Sequence, residues 1–267
     1  MLLPHFTALG AGPIVLMLHG AGGNFRSFAP QVERLAHAGY KAVAWDMPGY
    51  GHSVPVEPYG LKGLAQSAIA LIEALLPADA PVTQRSVHLV GHGLGGMVAQ
   101  ELIMRRPDLV RRLVLVGSTS GPDSGWAEDA AVQCAQLEAA VESGMRQWAQ
   151  TVVDAQVGPL ALTEGVQLAR HCMAQVSPVI YRHALQAQAA FDRDAALLHI
   201  HVPTLLITGE HDRLAPVAAI ERMAQRIHGG RWVQMPGVGH WPQLESPEAF
   251  EALLLDFLDE PPVHWTH

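Results

Sequence analysis

Residues Val90-Gly91-His92-Gly93-Leu94-Gly95-Gly96 stand directly after a short apolar run and directly before a segment of helical period. A chain that passes from strand to helix in so few residues must turn sharply. Small residues beside the turn let strand and helix approach each other without a Cβ striking the neighbouring backbone. Gly91, Gly95 and Gly96 supply that room, and Gly93 occupies the apex.

The same succession of short apolar runs and helical segments continues along the chain, which is the pattern of parallel strands joined by helical crossovers. Strands are expected at Ile14–Leu18, Ala42–Trp45, Val87–Val90, Leu113–Val116, Thr204–Thr208 and Trp232–Met235. Their Val, Leu and Ile content with little polar alternation indicates cover on both faces. Helices are expected near Ser27–Ala38, Leu61–Leu76, Leu94–Arg106, Pro216–His228 and Pro247–Leu258, with Ser246 as a cap and Pro216 and Pro247 in first turns. From 121 to 199 the alternation stops. Trp126, Leu137, Trp148, Val152, Leu168, Met173, Tyr181 and Phe191 mark helices without a strand between them. The expected organisation is one core, 1–120 with 200–267, and a helical lid over 121–199.

Composition narrows the function classes. With 17 basic against 25 acidic residues and a net charge of -8, the chain has no basic footprint for a phosphate backbone, and nucleic-acid binding is not expected. No run approaches the roughly 20 apolar residues that span a bilayer, and the first nine residues lack the charge and apolar stretch of a secretory signal. A cytoplasmic protein, monomer or homodimer, with Cys134 and Cys172 as free thiols is the expectation. The 15 histidines form no ligand spacing, so no metal is expected.

Taken literally, Gly91, Gly93 and Gly96 match the G-x-G-x-x-G spacing that cradles dinucleotide phosphates. The match falls at the third strand rather than the first, however, and no acid near 116 awaits a ribose. Three other loops favour a different chemistry. Leu18-His19-Gly20-Ala21-Gly22-Gly23 follows the first clear strand, Thr208-Gly209-Glu210-His211-Asp212 closes a later one, and Gly237-Val238-Gly239-His240-Trp241-Pro242 follows the last. The carboxyl ends of the strands in an open α/β sheet are where a site forms. Asp46-Met47-Pro48-Gly49-Tyr50-Gly51-His52-Ser53 reads as scaffold, with Asp46 and Ser53 fixing the loop.

Together these loops resemble the α/β-hydrolase superfamily, with G-x-S-x-G replaced by Gly91-His92-Gly93-Leu94-Gly95. The resemblance implies an α/β-hydrolase fold, Asp212 as triad acid, His240 as base, and backbone donors at Ala21 and Leu94 for a developing oxyanion. Gly93 takes the nucleophile's place and holds none. The preferred reading is a serine hydrolase in which glycine has been introduced in place of a native serine to disarm it, because acid, base and oxyanion loop all persist. The alternative is a natural protein without hydrolysis: a lyase or oxygenase using His240, or a ligand-binding receptor.

Trp45–Gly51, Gly93–Gln100 and Tyr181–Asp192 look most like the 3-oxoadipate enol-lactonase-like branch and its meta-cleavage product hydrolase relatives. That implies a small-molecule ester, enol-lactone or vinylogous diketone as substrate and no cofactor. The pocket is expected to draw on Phe25, His92, Trp126, Trp148, Met173 and Trp241, with Arg182 meeting a substrate carboxylate.

Overall fold

The computed structural model describes residues 2–77, 85–121, 132–137 and 144–261. Seven strands form one sheet: β1 (Phe6–Leu9), β2 (Ile14–Leu18), β3 (Lys41–Trp45), β4 (Val87–His92), β5 (Val110–Val116), β6 (Thr204–Gly209) and β7 (Arg231–Met235), in the order β1-β3-β2-β4-β5-β6-β7. β1 runs antiparallel to β3, and every other pairing is parallel. β2, β4 and β6 are buried along their whole length, as apolar runs without alternation require.

Alternate residues of each strand feed two cores. Leu16, Leu18, Leu89, Leu113 and Leu115 face α2 (Leu61–Leu75), α3 (Leu94–Arg105) and α7 (Val217–Arg226) through Leu71, Val98, Leu102 and Ile220. Val15, Met17, Val90, Val114 and Ile207 face α1 (Ala29–His37) and α8 (Pro247–Asp259) through Val32, Leu35, Phe250 and Leu254. The sheet is therefore covered on both sides, and only its edges and loop ends reach solvent.

Six of the seven strands fall where the apolar runs put them. The exception, β1, is a half-exposed edge with no apolar run to mark it. Ser246 precedes α8 without a side-chain cap bond, because its backbone there does not aim the hydroxyl at the first turn.

Between β5 and β6 the chain departs from the sheet into α4 (Met145–Asp154), α5 (Thr163–Ala174) and α6 (Pro178–Ala189). These helices share the first core through Trp148, Val152, Met173, Tyr181 and Leu185. The loop after β7 touches them closely: a Cβ on Gly165 would lie within van der Waals exclusion of the Leu244 carbonyl. No helix among the described residues is long and apolar enough to cross a membrane.

One close approach in the sheet region is α3 against the end of β2. A Cβ on Gly95 would meet the Leu18 carbonyl carbon at 2.5 Å and the His19 carbonyl oxygen at 2.7 Å, so the helix sits directly on the backbone that leads to Ala21. Gly95→Ala should force the two apart and destabilise the fold by about 1–3 kcal/mol. Urea unfolding of the two proteins measures this.

Candidate active site

Four loops converge at the carboxyl edge of the sheet. His19 to Gly23 leave β2, Gly93 ends β4, Asp212 follows β6 and His240 follows β7. Gly93 has φ 51° and ψ −116°, a region that glycine enters without strain and other residues rarely adopt. Its N–H bonds the Val116 carbonyl at 2.9 Å, which ties the apex to β5.

Asp212 and His240 are both buried. His240 Nδ1 lies 3.1 Å from Asp212 Oδ1 and 3.0 Å from Oδ2, and Oδ1 also accepts the Leu214 and Ala215 N–H groups at 2.9 Å. Burial alone would raise the carboxyl's pKa. The His240 imidazole and the two backbone donors outweigh it and hold the group below its ordinary value. With Nδ1 donating to the carboxylate, Nε2 faces the apex: a Cβ placed on Gly93 would lie 3.6 Å from His240 Nε2 and 3.7 Å from Gly20 Cα.

A narrow cavity of about 30 Å³ sits over this point, bounded by Gly20, Ala21, Gly93, Leu94, His240 and Trp241. Ala21 and Leu94 thus border the same space as Gly93. As the first residue of α3, Leu94 has no intrahelical acceptor for its N–H. His92 and Met173 also line the cavity. A Cβ on Gly22 would collide with Met173 Cε, so the thioether end rests against the glycine loop.

Three expected pocket residues lie elsewhere. Phe25 belongs to a separate groove with His5, Asp46 and His52, because its short turn is capped by Asn24 and its N–H is bound to Asp46 Oδ1. Trp148 is turned into helix packing, its ring centroid 6.4 Å from that of Tyr181. Arg182 does not line the cavity. It follows Tyr181 on α6 by one residue, about 100° around the helix from the face that Tyr181, Leu185 and Gln188 present to it. Trp126 lies outside the described residues.

Two buried histidines support the loops. His19 Nδ1–H donates to the Gly20 carbonyl at 2.8 Å, and its Nε2 accepts the Met47 N–H at 2.9 Å, which joins the β2 and β3 loops. His92 Nε2–H donates to the His240 carbonyl at 2.8 Å. Asp46 and Ser53 fix the loop, but not by local bonds alone: Ser53 Oγ donates to the Asp46 carbonyl at 2.6 Å, and both side chains also reach out of the loop, Ser53 Oγ accepting the His5 N–H and the Asp46 carboxylate meeting His5 Nδ1 and the Phe25 N–H.

Sequence reasoning missed Glu245. This buried carboxylate accepts N–H from Gly158 and Gly239 at 2.7 Å and from Trp241 at 2.9 Å, while the Gln156 carbonyl accepts the His240 N–H at 2.9 Å. It thereby clamps the His240 loop to the connection that follows α4. An acid in the otherwise uncharged stretch from Gly237 to Pro247 was its only signal.

A model of the α/β hydrolase fold matches residues 13–247. Pimeloyl-[acyl-carrier protein] methyl ester esterase of Neisseria meningitidis serogroup B is 30% identical over 92% of each chain. The 2-hydroxy-6-oxononadienedioate/2-hydroxy-6-oxononatrienedioate hydrolase of Cupriavidus pinatubonensis is 30% identical, covering 95% of this chain and 90% of that one. Among solved structures, the enol-lactonase of Burkholderia xenovorans shares the fold at TM-score 0.81 and 23% identity over 96% of both chains. The chain belongs to the α/β-hydrolase family, whose named relatives here are hydrolases.

Two outcomes follow from the buried groups. Burial, the largest cause in each, lowers the His19 pKa to about 4 and that of His92 to about 3, so both imidazoles stay neutral when the folded protein meets mild acid. The unfolded chain takes up those protons below about pH 6.5. Stability should therefore be complete above that pH and fall as pH drops toward 4, by up to about 1.4 kcal/mol per pH unit for each histidine. Urea midpoints at pH 7.5 and pH 5 read this. Glu245→Gln leaves an amide N–H₂ facing backbone donors, and denaturant unfolding should record a loss of about 3 kcal/mol.

Proposed function

We propose that this chain is a Ser-His-Asp hydrolase scaffold for a small ester, enol-lactone or related acyl substrate, with glycine standing at the nucleophile's position. The observation that carries the reading is the 3.6 Å separation between a Cβ on Gly93 and His240 Nε2. A hydroxyl one bond further out would come within hydrogen-bonding reach of that nitrogen, and the space for the Cβ is already there.

In the working enzyme the hydroxyl oxygen attacks the acyl carbon as His240 Nε2 takes its proton. The Ala21 and Leu94 amides hold the oxyanion that forms, and such preset donors are worth roughly 3 kcal/mol each. The imidazolium then protonates the leaving alkoxide, and water releases the acyl group by the reverse sequence. Asp212 keeps the imidazole proton on Nδ1, so that Nε2 is the basic nitrogen. As it stands, the chain supplies no attacking oxygen at 93, and it forms no acyl-enzyme. The helices α4 to α6 act as the lid, because a cavity of about 30 Å³ holds little more than a water and a substrate needs it widened.

Gly93→Ser tests the proposal. Hydrolysis of p-nitrophenyl acetate should rise by roughly 10⁴-fold or more over the Gly93 protein, and His240→Ala on top of it should abolish the gain. The same substitution places a side chain at φ 51° and should lower stability by about 1–3 kcal/mol. A folded Gly93→Ser protein with no more activity than the parent contradicts the proposal and points to a non-hydrolytic member of the family.

A further inference from the structure

The walls of the cavity away from Gly93 carry amides rather than charges. Gln133, Gln156 and Gln188 line it, alongside Tyr181, Leu185 and Leu214. Gln133 Oε1 is taken by the Tyr181 hydroxyl at 3.0 Å. Gln188 is 2% exposed, and its Oε1 has no hydrogen-bond partner among the described residues. A buried acceptor left unsatisfied costs about 1–3 kcal/mol, and a ligand N–H or O–H would relieve that penalty.

Among the described residues no Lys or Arg lines the cavity. His92 is kept neutral there, its pKa pushed down to about 3 by burial and by the neighbouring His240. Behind the wall stand two buried carboxylates, Asp212 and Glu245. A carboxylate brought into this space would be desolvated near the ionised Asp212, with no Lys or Arg among the described lining residues to pair it.

We propose that the cavity selects an uncharged acyl compound carrying an N–H or O–H donor for the Gln188 amide, and rejects substrates with a free carboxylate. This rests on the hydrolase reading of the site and departs from the carboxylate-binding role expected of Arg182. Tyr181, Leu185 and Gln188 recur on one face of α6, so the acyl portion lies along that helix with the ester carbonyl at Ala21 and Leu94. The Met173 thioether, unbranched and able to change rotamer, yields the space.

The Gly93 chain itself is the reagent, because it binds an ester without consuming it. Three methyl esters of similar size differ at one point: methyl N-acetylglycinate has an amide N–H, methyl 4-oxopentanoate has CH₂ in its place, and monomethyl succinate has a carboxylate. Calorimetric titration should give the amide ester at least about tenfold the affinity of the keto ester, and monomethyl succinate weaker binding still, by about a further hundredfold or to below detection. Gln188→Leu should bring the amide and keto esters level. Equal affinities in the unaltered chain, preferred binding of monomethyl succinate, or no binding of any of the three overturns the proposal. Turnover of p-nitrophenyl acetate by Gly93→Ser judges the hydrolase reading separately: a hydrolase that prefers the carboxylate ester refutes this inference alone.

Discussion

The arrangement depends on how closely α3 can approach the end of β2. Because Gly95 has no Cβ, the first turn of the helix rests on the backbone of Leu18 and His19, and that contact brings Leu94 to the same small cavity as Ala21. Gly93, at the apex between β4 and α3, takes the positive φ that this tight strand-to-helix turn demands. The parallel sheet then delivers β6 and β7 alongside, so that Asp212 and His240 arrive from the far side of the apex. Backbone geometry, rather than any single side chain, sets the frame in which proton transfer becomes possible.

Electrostatics stabilise that frame through buried groups held in one charge state. Asp212 is ionised because an imidazole and two backbone N–H groups compensate its burial, and Glu245 meets three backbone N–H groups. His19 and His92 work the other way: neutral, each uses one ring nitrogen as a donor to a carbonyl that shapes the site. The Asp212 bonds are of the stronger, charge-assisted kind, and His240 is held on both sides, by Asp212 at its ring and by Gln156 at its backbone.

Much of this was legible in the sequence because it is local. Apolar runs mark the six strands from β2 to β7, and the four glycine-rich or acid-bearing loops at strand ends mark the site. β1 escaped because an edge strand with only half its residues partly buried carries no such run. The pocket wall was harder, since it depends on which face a helix presents after it has packed. Trp148 went into the helix interface and Arg182 fell off the cavity face, whereas Gln188, an unremarkable residue in a helical stretch, came to line it. Glu245 carried only a faint signal for a related reason: one of its partners, Gly158, is a backbone group 87 residues away.

Covalent capture tests the central claim, that the His240 imidazole is poised to activate an oxygen at residue 93, most directly. The Gly93→Ser protein would be treated with a p-nitrophenyl alkylphosphonate and its intact mass and peptides measured. The account predicts one phosphonyl group per chain, attached at residue 93, and none on the Gly93 protein under the same conditions. A folded protein that stays unlabelled there, or is labelled only at other positions, would contradict it.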